Sequence, residues 1–220
     1  MTTKAEVKRF LQPMLAACPE LVLVGRTAVL PPVRHYLRCI YIRSGRRSEF
    51  CWPTGIVAPL YVPVAFLNDG INVRLARPGG GLWRVREPES AIQFAKIGSS
   101  FVEQVRAIDS PHAYLERQRT ELTPHPIREK FLELPHRLFS GEFERVRELL
   151  QEPDWITFLQ WRPALENIGL WDSLHKPGSS LSSDETKRLA RWFHERERES
   201  LAAEEIGHLW EDTPMPLDTV

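Results

Sequence analysis

The sequence predicts an α+β fold: a predominantly antiparallel sheet with an N-terminal helix and a following long helix packed on it, then an all-helical C-terminal part. Three observations predict it. From Val7 to Leu15 the apolar side chains fall at helical spacing; residues 21–86 break into short β-rich runs separated by turn signals; and after Pro88 the apolar period becomes helical and stays so. Strands in one block and helices in another indicate segregated α and β structure.

Thr3 stands three residues before Glu6, the spacing of a capping box, and Val7, Phe10, Leu11, Met14 and Leu15 share one helical face. This first helix is expected to end near Cys18-Pro19, with Pro13 as a candidate bend. The β-rich runs are 21–30, 33–43, 48–52, 56–66, 71–77 and 82–86, divided by Pro31-Pro32, Ser44-Gly45, Pro53-Thr54-Gly55, Asn68-Asp69-Gly70 and Pro78-Gly79-Gly80-Gly81. Short connections imply antiparallel neighbours, with the last two runs read as a hairpin. Ile71, Val73 and Leu75 alternate with Asn72, Arg74 and Ala76, and Trp83 and Val85 with Arg84 and Arg86, as in a sheet with one wet face. Ile97, Phe101, Val105 and Ile108 stripe a helix over roughly 89–109. Shorter helices are expected at 111–122, 126–139 and 142–151, the last two separated by Gly141, and Pro153 suits the first turn of the next. Ser182 and Glu185 repeat the capping-box spacing at the start of a final helix reaching Trp210, beyond which the tail is expected to fray. Residues 1–122 are thus the expected sheet domain and 123–220 the helical C-terminal region. The pattern fits either a helical region folded back over the sheet or one forming a separate lobe.

The formal net charge is zero, yet charge is unevenly placed. Residues 1–87 hold thirteen basic and five acidic side chains, and residues 142–220 hold nine basic and seventeen acidic. Such asymmetry implies either a charged partner or attraction of one half for the other. No run of about 18 apolar residues is present to span a membrane, and the polar N-terminus lacks the apolar segment of a signal peptide, so a soluble, cytoplasmic protein is expected. Cys18, Cys39 and Cys51 form no CxxC pair, and neither a disulfide framework nor a zinc knuckle is indicated.

Alternation along 33–43 puts Arg34, Tyr36 and Arg38 on one face of a strand and Val33, His35, Leu37, Cys39 and Tyr41 on the other. If the first face is wet, two guanidinium forks flank an aromatic ring. Arg43, Arg46 and Arg47 at the next turn and Arg84 and Arg86 of the last run would extend that surface. Arg and Tyr combine large contact area with directional polar groups, so these eight residues are the candidate partner-binding set. The alternative is a solvated face whose arginines merely cover Tyr36 and Ile40.

No catalytic or metal-ligating constellation and no cofactor is indicated. His35 and Cys39 share a face, but four residues along a strand span roughly 13 Å, too far for a nucleophile and its base. The remaining histidines, His112, His125, His136, His175, His194 and His208, lack HxxxH spacing, and the Gly79–Gly81 run lacks the GxxxxGK[ST] pattern of a phosphate loop. Trp155, Trp161, Trp171, Trp192 and Trp210, with Phe158 and Phe193, are read as helical core, the alternative being an aromatic acidic surface for a basic partner.

The order of features in residues 5–110, amphipathic helix, antiparallel strands with a basic face and long helix after Pro88, resembles that of small bacterial α+β immunity proteins of polymorphic toxin systems. The segment PIREKFLELPHRLFSGEFERVRELLQ, 126–151, is similar to the helix, Gly, aromatic, helix pattern that follows in such chains. The resemblance implies a cytosolic protein that neutralises a cognate toxin by tight binding without catalysis. A nucleic-acid-binding protein, with Arg34, Arg38, Arg43, Arg46 and Arg47 on phosphates and Tyr36 stacked on a base, is the alternative. An enzyme whose groups converge only in three dimensions is the third class.

Overall fold

The Glu6 backbone N–H donates to Thr3 Oγ1 at 3.2 Å and the Thr3 N–H donates to the Glu6 carboxylate at 2.8 Å, so a capping box starts α1 (Lys4–Ala17) as its spacing predicts. The computed structural model describes residues 2–62, 70–121, 126–151, 155–176 and 180–219. The 63–66 end of the fourth β-rich run, Asn68-Asp69, His125, Pro153 and the side chains of Trp155 and Phe158 lie outside the described residues.

Six strands form one antiparallel sheet: β1 (Val22–Val24), β2 (Thr27–Val29), β3 (Tyr36–Ser44), β4 (Phe50–Pro59), β5 (Ile71–Arg74) and β6 (Trp83–Arg84), in the order β1-β2-β3-β4-β5 with β6 also on β4. The 21–30 run is therefore a two-stranded hairpin instead of one strand. The 33–43 run starts three residues later than its pattern suggests.

The largest departure concerns Pro53-Thr54-Gly55, which reads as a turn but lies inside β4, where Ile42 faces Pro53 and Ile40 faces Gly55. Both turn residues have a reason to be there. The Pro53 carbonyl accepts from the Leu75 N–H on the β5/β6 side of the strand, so its missing N–H falls in the gap between the β6 pairing at Phe50–Cys51 and the β5 pairing at Thr54–Val57. At Gly55 a Cβ would sit 2.5 Å from the ring of Phe101. That ring lies directly on bare backbone. The runs at 71–77 and 82–86 do not pair with each other; β5 and β6 dock in turn on the same edge of β4.

One face of the sheet carries α2 (Pro88–Val105), with Pro88 in its first turn, and α1 packs beside it. Phe10 stacks on Phe94 at 5.0 Å, Trp83 meets Phe94 edge-on at 5.4 Å, and the Met14 thioether sits over Gly98. The opposite face is also covered. Val29, Val33, Leu37, Cys39, Ile56, Ala58 and Leu60 pack with Leu201 and Ile206, and Leu209 and Trp210 lie against the same cluster. This covering segment begins in the last turn of α8 (Ser183–Ala203), whose Ser182–Glu185 capping box forms as its spacing predicts. The helix stops at Ala203, short of the expected Trp210, because the chain takes a positive φ of 58° at Glu205 and turns. It then runs beside Val33, whose N–H donates to Leu209 O at 3.2 Å and whose carbonyl accepts from the Glu211 N–H at 2.8 Å.

The remaining helices are α3 (Pro111–Glu121), α4 (Pro126–Phe139), α5 (Phe143–Gln151), α6 (Trp155–Asn167) and α7 (Trp171–His175). Gly141 ends α4 with a φ of 73°; the Gly141 N–H donates to Leu138 O and the Glu142 N–H to Arg137 O, the paired bonds of a Schellman cap. Trp161 and Trp171 are buried, as the core reading expects of them, and the Trp161 ring meets that of the half-buried Trp192 at 6.1 Å. The tail does not fray as expected, since Met215 and Leu217 are buried.

Two compact units result: residues to Ser110 together with Ser200–Asp212, and Pro111–Glu199 together with Thr213–Val220. The boundary thus falls at Ser110, not at 122, and the sheet unit claims a segment assigned by sequence to the helical part. An apolar sheet face requires a cover, and Leu201, Ile206 and Trp210 provide it. Among the described residues, no helix is long and apolar enough to cross a membrane.

The contact at Gly55 makes Gly55→Ala destabilising by about 1–3 kcal/mol, the range for overpacking, in urea unfolding, with part of the loss recovered when Phe101→Leu is added. His136 is fully buried, and desolvation, followed by the charge of Arg137, pushes its pKa from 6.5 down to about 3. The unfolded chain therefore takes up a proton that the folded chain refuses. Stability should fall by up to about 1.4 kcal/mol per unit as pH drops below 6.5, and His136→Phe should flatten that decline between pH 6.5 and 5.

Candidate binding surface

Residues directly opposite in an antiparallel pair share a face, so the register of β4 with its neighbours sets what stands beside what. Phe50 faces Arg84, Trp52 faces Arg43, and Thr54 faces both Tyr41 and Arg74. Alternation then puts Tyr41, Arg43, Phe50, Trp52, Thr54, Arg74 and Arg84 on one side of the sheet. It is the side on which Cys39 and Ile56 face each other beneath the 200–212 segment. Cover stops at Tyr41, and beyond it the sheet is open.

Trp52 is the centre of this open area, 42% exposed despite its size. The Arg74 guanidinium lies over its ring at 5.5 Å, and that of Arg84 lies over Phe50 at 5.7 Å. Cation–π contacts of this kind are worth about 0.5–1 kcal/mol at exposed sites and hold both partners in place. Arg46 and Arg47 are exposed in the turn between β3 and β4. Among the described residues, the ion pairs include none to Arg43, Arg46, Arg47 or Arg74. Their charge faces solvent.

The eight sequence-predicted residues therefore separate into three groups. Arg43, Arg46, Arg47 and Arg84 belong to the open surface or its border, although Arg84 also pairs with Glu87 at 2.6 Å. Arg34 and Arg86 are exposed elsewhere in the unit, in pairs with Glu211 at 3.2 Å and Glu6 at 2.8 Å. The Glu6 carboxyl is held below its usual range by the Thr3 backbone N–H and then by Arg86.

Tyr36 and Arg38 correct the expected wet face, because both are inside. Tyr36 is 2% exposed, its hydroxyl 2.6 Å from that of Tyr61 and its ring edge-on to the Tyr61 ring at 5.8 Å. Arg38 is 7% exposed and donates to Arg106 O at 2.9 Å and Pro32 O at 2.7 Å. The expected face of β3 lies under α2, and the open surface lies on the other face, farther along the strand.

Trp52, Phe50 and Arg74 were missed by sequence reasoning. Their signal is the alternation Phe50, Cys51, Trp52, in which the two outer residues share a face, but only the pairing register brings them to Arg43, Arg74 and Arg84. Cys39 and Cys51 are buried, and desolvation raises both thiols, that of Cys51 to about 12, so neither supplies a thiolate. Among the described residues, no three His, Cys, Asp or Glu side chains cluster as a metal would require. No protein-family model matches the chain, and neither does any curated protein or solved structure.

The division into open surface and core predicts opposite mutational costs. Trp52→Ala and Arg43→Glu should each change the unfolding free energy by no more than about 1 kcal/mol, whereas Tyr36→Ala should cost about 3–5 kcal/mol. Urea titration monitored by far-UV circular dichroism measures both.

Proposed function

We propose that this chain is a non-catalytic protein-binding module that docks its Trp52-centred basic face on an acidic surface of a protein partner and inhibits that partner by occlusion. What supports the reading is a single arrangement: an exposed tryptophan held by an arginine, with Arg43, Arg46 and Arg47 near it in no ion pair among the described residues. Trp and Arg are the residues that most often dominate binding energy, and a held rotamer loses less entropy on docking. The arginines would steer an acidic partner into contact, while Trp52 would govern how long it stays. The resemblance to immunity proteins makes a toxin, encoded beside this chain and acting in the same cell, the partner to examine first.

A second reading is favoured by one specific feature. Phe50 and Trp52 stand on the same face two residues apart, bordered by Arg43, Arg74 and Arg84, and stacking rings along a basic track also suit single-stranded nucleic acid. Salt dependence separates the two. With the product of the adjacent reading frame as the probe, Trp52→Ala should weaken binding by about thirtyfold or more, the size of a hot-spot loss, and Arg43→Glu with Arg74→Glu should mainly slow association. A labelled single-stranded oligonucleotide should bind weakly or not at all. Tight oligonucleotide binding whose affinity falls by about 0.7 log units per log unit of salt for each phosphate contacted, with no affinity for the protein, would replace the first reading by the second.

A further inference from the structure

A cavity of about 270 Å³ opens beside the start of β3, lined among others by Pro32, Arg34, His35, Arg38, Arg106 and Asp109. Three arginines and one aspartate thus line a common space. Arg38 is the unusual member, 93% buried by its 7% exposure. A guanidinium has five N–H donors. Two of these bond the carbonyls of Arg106 and Pro32, and Nε is buried without a hydrogen-bond partner. Among the described residues no carboxylate lies within ion-pair distance of Arg38, while Arg34 and Arg106 are paired at the rim, with Glu211 and with Glu20 and Glu103. Burial disfavours the charge of Arg38; Asp109 opposes that effect, and Arg34 and Arg106 add repulsion. A buried charge is costly unless it is paired and hydrogen-bonded.

We propose that this cavity binds a small oxyanion, specifically a phosphate group, with Arg38 at its base and Arg34 and Arg106 at its rim. Arg is suited to the task because its planar fork matches two oxygens of one phosphate, and carbonyl contacts to Arg106 and Pro32 fix the plane of that fork in advance. The cavity exceeds the volume of inorganic phosphate, so a phosphorylated small molecule or side chain fits the same chemistry. This site is separate from the Trp52 surface and does not depend on the protein-binding reading.

Thermal unfolding of the full chain at pH 7, in sodium phosphate against sodium chloride at matched ionic strength, tests the proposal. The midpoint should rise saturably with phosphate and not with chloride. Arg34→Gln combined with Arg106→Gln, both exposed, should raise the half-saturating concentration about tenfold, the loss expected for charge-assisted hydrogen bonds. Arg38→Met should abolish the response; because a buried position risks the fold, the rim variant decides if that protein is unstable. Trp52→Ala should respond as the parent does. An equal rise in chloride, an unchanged response in the rim variant, or loss of response in Trp52→Ala would overturn the assignment. Sodium acetate is the carboxylate arm, and saturation by acetate without saturation by phosphate would overturn the choice of phosphate.

Discussion

Coverage of the sheet on both faces is the constraint on which the sheet unit depends. β3 and β4 bury residues on each side, which α2 and α1 satisfy on one face only. On the other, Leu37, Cys39, Ile56, Ala58 and Leu60 would meet water without Leu201 and Ile206. At about 25 cal/mol per Å² of apolar surface, covering even a few such side chains is worth several kcal/mol, comparable with the net stability of a domain. The backbone exchange between Val33 and residues 209–211 holds the cover in register. Because that cover reaches only as far as Tyr41, it also defines the open surface: Trp52 and its arginines are what the segment leaves exposed.

The same segment changes the meaning of the charge gradient. Residues 200–212 contain four acidic side chains and no Lys or Arg, and they belong to the sheet unit. That unit then holds fifteen basic and twelve acidic residues, a net of +3, far less than the +8 of residues 1–87 alone. Glu211 engages Arg34, and the partly buried Glu204 has its carboxyl pKa raised by desolvation. Part of the gradient is therefore internal neutralisation. The part left over is local, concentrated on Arg43, Arg46, Arg47 and Arg74, which make no ion pair among the described residues.

Close approach explains why several residues look out of place in sequence. Gly55 sits mid-strand because Phe101 occupies the space a Cβ would need, and Gly98 sits mid-helix because Met14 does. Pro53 is tolerated because its absent N–H points into a gap in the pairing. Arg38 is the polar counterpart, a cation placed inside by the alternation of β3 and held there by two main-chain carbonyls.

Sequence by itself determined the class of fold, both capping boxes, the concentration of strands between residues 21 and 86, the helical period after Pro88 and the alternation of Trp83 and Val85 with Arg84 and Arg86, since each depends on neighbours a few residues apart. It also placed Arg43, Arg46, Arg47 and Arg84 at the surface, where short turns and strand ends put them. Tertiary structure alone decided that Tyr36 and Arg38 are interior, that Pro53-Thr54-Gly55 continues a strand, that β5 and β6 share an edge, and that residues 200–212 return to the sheet. Each of those outcomes follows from contacts between residues distant in the chain, Gly55 with Phe101, Val33 with Trp210, Phe50 with Arg84. Alternation says that two faces exist; only packing says which one, and how much of it, meets water.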